Sequence, residues 1–145
     1  MQGMLSLEQH ICFAVYSTAH MFNRLYRPML DELGLTYPQY LTLVVLSQEG
    51  AQSVGSIGDR LKLESSTLTP MLKRLEKADL IIRRRDTKDE RVVHVDLSPA
   101  GREILEKIPP INVAIADAIG ETDEDREEIR RALVAIRDRL EAAIG

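Results

Sequence analysis

Apolar residues recur every three or four positions along the first part of the chain, as one face of a long helix requires. From about Ser6 to Leu33 this spacing predicts a single amphipathic helix, with Pro28 inside it as a point where the helix bends. Gly34 follows as the expected C-terminal cap. The apolar face is predicted to carry Ile11, Val15, Phe22, Leu25, Met29 and Leu33.

The next two patterns predict a helix that leads into a helix-turn-helix. Thr36 and Gln39 have the spacing of a capping box and start a second helix at TYPQ. Ser53 is the expected N-cap of a short helix, VGSIGDRL, and after a short break a further helix follows in SSTLTPMLKRLEKADL. Because a proline costs no hydrogen bond at the third helical position, Pro70 predicts an N-cap near Thr67.

The period then changes from that of a helix to that of a strand. Val93, Val95 and Leu97 alternate with His94 and Asp96, and DTKDE supplies a turn, so LIIRRRDTKDERVVHVDL predicts a β-hairpin. A helix-turn-helix followed by a hairpin is a winged helix, and the predicted fold class is mainly α with a small β-hairpin wing.

Two helices are predicted after the hairpin. Ser98 caps the first, which continues until Pro109 and Pro110 interrupt it, and Thr122 starts the last. No linker separates two domains, so residues 1–145 are expected to form one domain. The apolar face of the last helix has near-heptad spacing, at Ile129, Leu133, Ile136 and Leu140.

Charge is distributed unevenly along the chain. The 145 residues carry a net charge of −4, yet the segment from Arg60 to Arg91 holds ten Lys or Arg against six acids. A basic winged helix on an acidic scaffold indicates nucleic-acid binding, because a helix fits the major groove while a hairpin reaches phosphates or the minor groove. The plainer interpretation is a solvated basic face.

The first and last helices carry more apolar surface than one winged-helix core can cover. This excess predicts a symmetric homodimer, in which two recognition helices meet half-sites of double-stranded DNA about one turn apart, a pseudo-palindromic operator. The expected DNA-binding lobe is about 36–97, and the expected dimerisation helices are about 5–34 and 99–144.

Several classes of protein and site are disfavoured. One cysteine, Cys12, cannot form an internal disulfide. No N-terminal segment carries a basic stretch followed by an apolar run, and no apolar stretch approaches ~20 residues, so a cytoplasmic protein without a membrane partner is expected. His10, His20 and His94 lack metal-ligand spacing. No phosphate loop or Ser/His/Asp arrangement stands out. We therefore expect no cofactor, no metal and no enzymatic activity.

The whole chain resembles the MarR-type (multiple antibiotic resistance regulator) winged-helix repressors. That resemblance rests on STLTPMLKRLEKADLI and the wing RRRDTKDERVVHVDLSPAG. Two further stretches, QHICFAVYS and LGLTYPQYL, resemble the one-cysteine organic hydroperoxide sensors of this family, the OhrR-type regulators. The resemblance implies a dimeric, DNA-binding transcriptional repressor of the oxidative stress response that releases its operator when an organic hydroperoxide, its inducer, oxidises Cys12.

The resemblance also implies roles for individual positions. Cys12 would be the redox-sensing thiol, its sulfur bonded by Tyr26 and Tyr37 of the partner subunit, with Tyr16 close by. Asp89 would orient an arginine of the wing. The residues expected at DNA are Ser65, Ser66, Thr67, Thr69, Lys73 and Arg74 on or beside the recognition helix, and Arg85, Lys88 and Arg91 on the wing.

Helix geometry bears on the cysteine independently. Cys12 and Tyr26 are fourteen residues apart, which is about 21 Å along one helix, so a contact between them requires two subunits. Tyr16, one turn from Cys12, can share its face. Because no second thiol is available, oxidised Cys12 could end as a mixed disulfide with a small thiol, a sulfenamide or an over-oxidised acid.

Alternatives from other classes stay open. Cys12 could be a small buried hydrophobe. The chain could be a repressor released by a small aromatic or anionic ligand without redox sensing, a thiol peroxidase that turns over, or a helical interaction module that does not contact DNA.

Overall fold

The computed structural model describes residues 3–145. A short 3-10 turn, Leu7–Gln9, precedes the first helix. The helices are α1 (Ile11–Asp31), α2 (Tyr37–Glu49), α3 (Val54–Leu61), α4 (Ser65–Lys77), α5 (Pro99–Leu105), α6 (Pro109–Ile119) and α7 (Asp123–Ile144). The strands are β1 (Gln52–Ser53), β2 (Ile81–Arg85) and β3 (Val93–Leu97).

The chain forms two compact units, of which the first ends at Asn112 and the second begins at Val113. All elements of the expected DNA-binding lobe, from α2 to β3, lie in the first unit. Its core contains apolar side chains from α1, α2, α3, α4 and β3, which explains why α3, α4 and the hairpin pack as one body. The fully buried side chains include Leu30, Leu43, Leu46, Ile57, Leu68, Leu72, Leu75 and Val95.

Five of the helix ends predicted from capping residues are confirmed. Thr36 and Gln39 form the predicted capping box at the start of α2, in which each side chain bonds the other residue's backbone. Gly34, after α1, has a left-handed φ of 70°. The hydroxyls that accept a backbone N–H at the starts of α3, α5 and α7 belong to Ser53, Ser98 and Thr122. These ends are local hydrogen-bonding solutions, so local sequence suffices to specify them.

The predicted start of the recognition helix is wrong by three residues. The N-cap of α4 is Glu64, not Thr67, and Pro70 is the sixth residue of the helix. Pro70 and Ser66, whose carbonyl would accept the missing hydrogen bond, are both exposed. Water can satisfy that carbonyl, so the helix tolerates the proline inside its exposed first turns.

The wing is an antiparallel hairpin, as predicted, with a third strand that the sequence did not reveal. Strand β3 pairs with β2 in a register that places Ile81 opposite Leu97 and Arg85 opposite Val93. The two-residue strand β1 pairs with the other edge of β3, which gives the strand order β1-β3-β2. Two residues are too few to show an alternating pattern, so only the folded chain reveals this pairing.

The C-terminal segment has one more helix than was predicted, and the first helix starts later. Pro109 and Pro110 end nothing themselves: α5 has already stopped at Leu105, and the prolines open α6, where their missing N–H groups cost little. The expected long first helix is divided into the turn Leu7–Gln9 and α1, with His10 between them.

The second unit contains the end of α6 and all of α7. The first turn of α7 is acidic, at the end of the helix dipole that favours negative charge. Its apolar side chains Ile129, Leu133 and Leu140 are exposed. Within residues 3–145, every helix is too short or too polar to cross a membrane.

Candidate functional site

Helix α4 presents a polar face to solvent because its apolar residues are fully used in the core. Leu68, Met71, Leu72 and Leu75 are buried, and they fix the rotation of α4 about its axis. Residues of the opposite face predicted at DNA are partly or fully exposed: Ser65, Ser66, Thr67, Thr69, Lys73 and Arg74. The first two turns of α4 therefore offer hydroxyl groups, and its second half offers two cations.

The turn between α3 and α4 is tight. Lys62 has a left-handed φ of 58°, and Gly58 lies so close to the Leu63 carbonyl oxygen that an added Cβ would sit 2.9 Å from it. A side chain at position 58 would push the two helices apart. Glycine here thus sets the approach of α3 to α4, the packing that defines a helix-turn-helix.

The wing tip, residues 86–92 between β2 and β3, is organised by one carboxylate. Asp86 accepts backbone N–H groups from Lys88 at 3.1 Å and Asp89 at 2.9 Å, and its other oxygen lies 3.2 Å from His94 Nε2. The hydrogen bond from the Asp89 backbone, followed by that of His94, lowers the pKa of Asp86. This carboxylate therefore stays charged at neutral pH and holds the turn in one shape.

Two wing arginines are oriented by the same turn. Arg91 donates from Nε and Nη2 to the two oxygens of Asp89, at 3.1 and 3.2 Å, while its side chain stays 91% exposed. Arg85 donates to the Glu90 carbonyl at 2.8 Å. Lys88 is exposed at the tip. The tip thus carries a preset cation beside two further basic groups, an arrangement suited to a phosphate or a narrow groove.

Cys12 and Tyr16 lie on an exposed stretch of α1. Cys12 is the second residue of the helix and is exposed, and Tyr16, one turn later, is 64% exposed with its ring edge-on to His20 at 4.5 Å between centroids. Apolar neighbours are exposed with them, including Ile11, Phe13 and Val15. A thiol among uncovered apolar side chains indicates an interface more than a core.

Tyr26 and Tyr37 are brought together at the other end of α1. Their ring centroids are 4.8 Å apart, and neither hydroxyl has a hydrogen-bond partner within residues 3–145. Burial, with added repulsion from Tyr37 and Tyr40, raises the pKa of Tyr26 to about 12, and burial also raises that of Tyr37. Both phenols are therefore neutral donors at physiological pH.

Tyr40 is the residue of this cluster that sequence reasoning missed. Its centroid lies 6.2 Å from that of Tyr26 and 5.9 Å from that of Tyr37, and its hydroxyl donates to Asn112 Oδ1 at 3.2 Å. A signal was present, because Tyr40 follows Tyr37 by three residues, a spacing that puts both on one helix face.

The predicted sensor residues form two separate groups within one chain. The tyrosine pair lies near the C-terminal end of α1 and the start of α2, while Cys12 and Tyr16 lie in the first two turns of α1. No group of three or more His, Cys, Asp and Glu side chains able to hold a metal occurs in the described part of the chain.

Comparison with known proteins gives consistent matches. A family model described as "Transcriptional regulator SarA/Rot" matches residues 24–108. The HTH-type transcriptional regulator TtmR of Methylorubrum extorquens is 44% identical over 140 residues, which is 97% of this chain and 72% of the relative. The organic hydroperoxide resistance transcriptional regulator of Bacillus subtilis is 38% identical over 94% of this chain and 92% of its own length.

Among solved structures, AbfR of Staphylococcus epidermidis is similar over nearly the whole chain. Reduced AbfR bound to DNA has a TM-score of 0.76 and 32% identity, and it covers 96% of this chain and 95% of AbfR. Structures of overoxidised AbfR bound to DNA and of AbfR with a disulfide formed also match, with TM-scores of 0.71 and 0.60.

Proposed function

Because the chain belongs to the MarR-type family of winged-helix transcriptional regulators, in its OhrR-like branch, we propose that it is a dimeric repressor switched by organic hydroperoxides through Cys12. In the reduced form it binds a pseudo-palindromic operator. Oxidation of Cys12 weakens that binding and so allows transcription of the genes that the operator controls.

The DNA-binding half of the proposal is supported by two exposed surfaces of the first unit. The polar face of α4 is suited to base edges in the major groove. Arg91, with its guanidinium fixed by Asp89, is suited to the minor groove or a phosphate, and Arg85 and Lys88 add positive charge beside it.

The observation that carries the sensing half is the tyrosine pair with open hydroxyls. The ring centroids of Tyr26 and Tyr37 are 4.8 Å apart, and neither hydroxyl has an acceptor in the described chain. Cys12 is exposed and lies about 21 Å from Tyr26 along α1. A second subunit whose α1 crosses the first would bring Cys12 of the partner subunit to this pair. Each site would then contain a thiol from one chain and two phenols from the other.

The proposed chemistry is a two-electron oxidation. A Cys12 thiolate attacks the outer oxygen of the hydroperoxide, the O–O bond breaks, and the products are a sulfenic acid and, after protonation, an alcohol. Sulfur is oxidised and the peroxide is reduced. The chain has no second cysteine, so the next step is a mixed disulfide with a small thiol, a sulfenamide or further oxidation.

Little free energy is needed for the switch. A tenfold loss of operator affinity is about 1.4 kcal/mol, and one hydrogen bond to a charged group contributes roughly 1.5–3 kcal/mol. Loss of the two phenol hydrogen bonds to a thiolate at each of two sites is therefore sufficient to shift the dimer away from its DNA-binding form.

The test is an operator-binding assay on DNA from upstream of the protein's own gene, with and without cumene hydroperoxide. Wild type should bind and be released, whereas Cys12→Ser should bind equally and stay bound. Ser17→Ala is a matched control on the same helix, because the Ser17 hydroxyl bonds the Phe13 and Ala14 carbonyls of its own helix. Release of Cys12→Ser from the operator by peroxide would contradict the proposal. Release of both wild type and Cys12→Ser by a small aromatic acid would favour a ligand-responsive repressor.

A further inference from the structure

Tyr40 connects the tyrosine pair to a distant part of the first unit. It lies in the first turn of α2 and is 8% exposed, and its hydroxyl bonds Asn112, 72 residues later, in the first turn of α6. Within residues 3–145, it is the member of the three-tyrosine cluster whose hydroxyl has a hydrogen-bond partner. In the described chain the cluster thus contains one phenol with a hydrogen-bonded hydroxyl and two without.

The far end of this hydrogen bond is itself well fixed. Ile108 and Ile111 flank the start of α6 and are both buried, and the Ile111 backbone donates to the Ile108 carbonyl at 2.8 Å. These contacts hold the first turn of α6 against the first unit. Asn112, next to Ile111, is exposed, so its side chain contributes little to the core and its acceptor is available to Tyr40.

The Tyr40 ring in turn limits how the other two can move. It faces Tyr26 and Tyr37 at centroid distances of 6.2 and 5.9 Å, within the range in which aromatic rings contact each other. Because the hydroxyl oxygen lies on the axis of the ring, a hydrogen bond to it opposes any tilt or shift of that axis. Fixing Tyr40 therefore narrows the positions open to the two phenols packed on it.

We propose that Tyr40 and Asn112 are positioning residues of the peroxide sensor. Their hydrogen bond holds the hydroxyls of Tyr26 and Tyr37 in the arrangement that receives the sulfur of Cys12 from a second subunit. This inference rests on the function proposed above, and it adds two residues, one of them on α6, that act through the tyrosine pair.

Three variants of the full-length protein test the inference. Asn112→Leu removes the acceptor at an exposed position, and Tyr40→Phe removes the donor while it keeps the ring. Asn112→Asp keeps an acceptor oxygen at the same place and is the conservative rescue. We expect cumene hydroperoxide to oxidise Cys12 about fivefold more slowly in the first two variants, equal to about 1 kcal/mol, and at nearly the wild-type rate in Asn112→Asp.

A spectroscopic readout separates positioning from general stability. The chain has no tryptophan and four tyrosines, so its near-ultraviolet circular dichroism reports mainly tyrosine packing. Asn112→Leu keeps all four tyrosines. Its near-ultraviolet signal should weaken while the far-ultraviolet signal and the operator affinity of the reduced protein stay within about twofold of wild type.

The outcomes distinguish this inference from the proposed function. Wild-type oxidation rates in both Asn112→Leu and Tyr40→Phe, with an unchanged near-ultraviolet signal in Asn112→Leu, would overturn the positioning role while the Cys12 switch stands. Slow oxidation in Asn112→Asp equal to that of Asn112→Leu would also overturn it. Wild-type protein that hydroperoxide neither oxidises nor releases would overturn the proposed function, and this inference with it.

Discussion

Cys12 and Tyr26 lie on the same helix, α1, and fourteen residues separate them. At 1.5 Å per residue they are about 21 Å apart, so no side-chain movement can bring them together in one subunit. If Tyr26 binds the sulfur of Cys12, the reactive site exists only in a dimer. Dimerisation and redox sensing then become properties of the same interface.

A charge placed on the apolar face of α7 should abolish dimer formation. It should also abolish operator binding, because the two half-sites are met by the recognition helices of two subunits. Leu133 is 47% exposed, and Leu133→Asp would place a carboxylate in the interface that we expect there. Ala135→Asp, at an exposed position about 200° around the helix, is the matched control and should stay dimeric. Sedimentation velocity and operator binding measure the two effects, and a dimeric, DNA-binding Leu133→Asp protein would contradict this use of α7.

Arg91 should contribute to operator binding through geometry as well as charge. We expect Arg91→Ala to weaken binding and to reduce the magnitude of the salt slope by about 0.9, the value for one phosphate. Arg91→Lys keeps the charge but cannot make the two-pronged contact with Asp89, so it should weaken binding with the slope unchanged. Titrations at several salt concentrations test this, and full affinity in Arg91→Lys would show that orientation is unimportant.

The tyrosine cluster should titrate late at alkaline pH. Burial raises the pKa of Tyr26 to about 12 and raises those of Tyr37 and Tyr40 above the ordinary value of 10.0. The fold favours the neutral phenols, so their contribution to stability is present below pH 10 and is lost as the pH rises through the folded-state values. Phenolate absorbance measures this, and Tyr26→Phe should remove the last step. Titration of Tyr26, Tyr37 and Tyr40 together near pH 10 would contradict the burial of the cluster.

Two glycines of α3 should respond to alanine in opposite directions. An added Cβ at Gly58 would press on the Leu63 backbone, which cannot move aside, so we expect Gly58→Ala to cost about 1–3 kcal/mol of unfolding free energy. Gly55 has open space around it, and Gly55→Ala should stabilise the helix by about 0.5–1 kcal/mol. Urea denaturation measures both. Equal effects would mean that the turn does not depend on the close approach at Gly58.

Local features of the fold were predictable because they are local in origin. Two such features depend on neighbours in the chain, and both are confirmed: the capping box of Thr36 and Gln39, and the strand formed by the alternating residues from Val93 to Leu97. The start of α4 was not predictable, because Pro70 is acceptable at the sixth position only where the carbonyl four residues earlier faces solvent. The pairing of β1 and the separate helix α6 likewise depend on distant partners.

The sequence by itself determined the winged-helix class, the basic wing and a lone cysteine on a helix too long for that cysteine to reach Tyr26. These follow from periodicity, charge and helix rise, which act along the chain. Only the tertiary structure decided that the rings of Tyr26, Tyr37 and Tyr40 pack together and that the Tyr40 hydroxyl bonds Asn112. Contacts across 72 residues depend on how the helices pack, which no local pattern specifies.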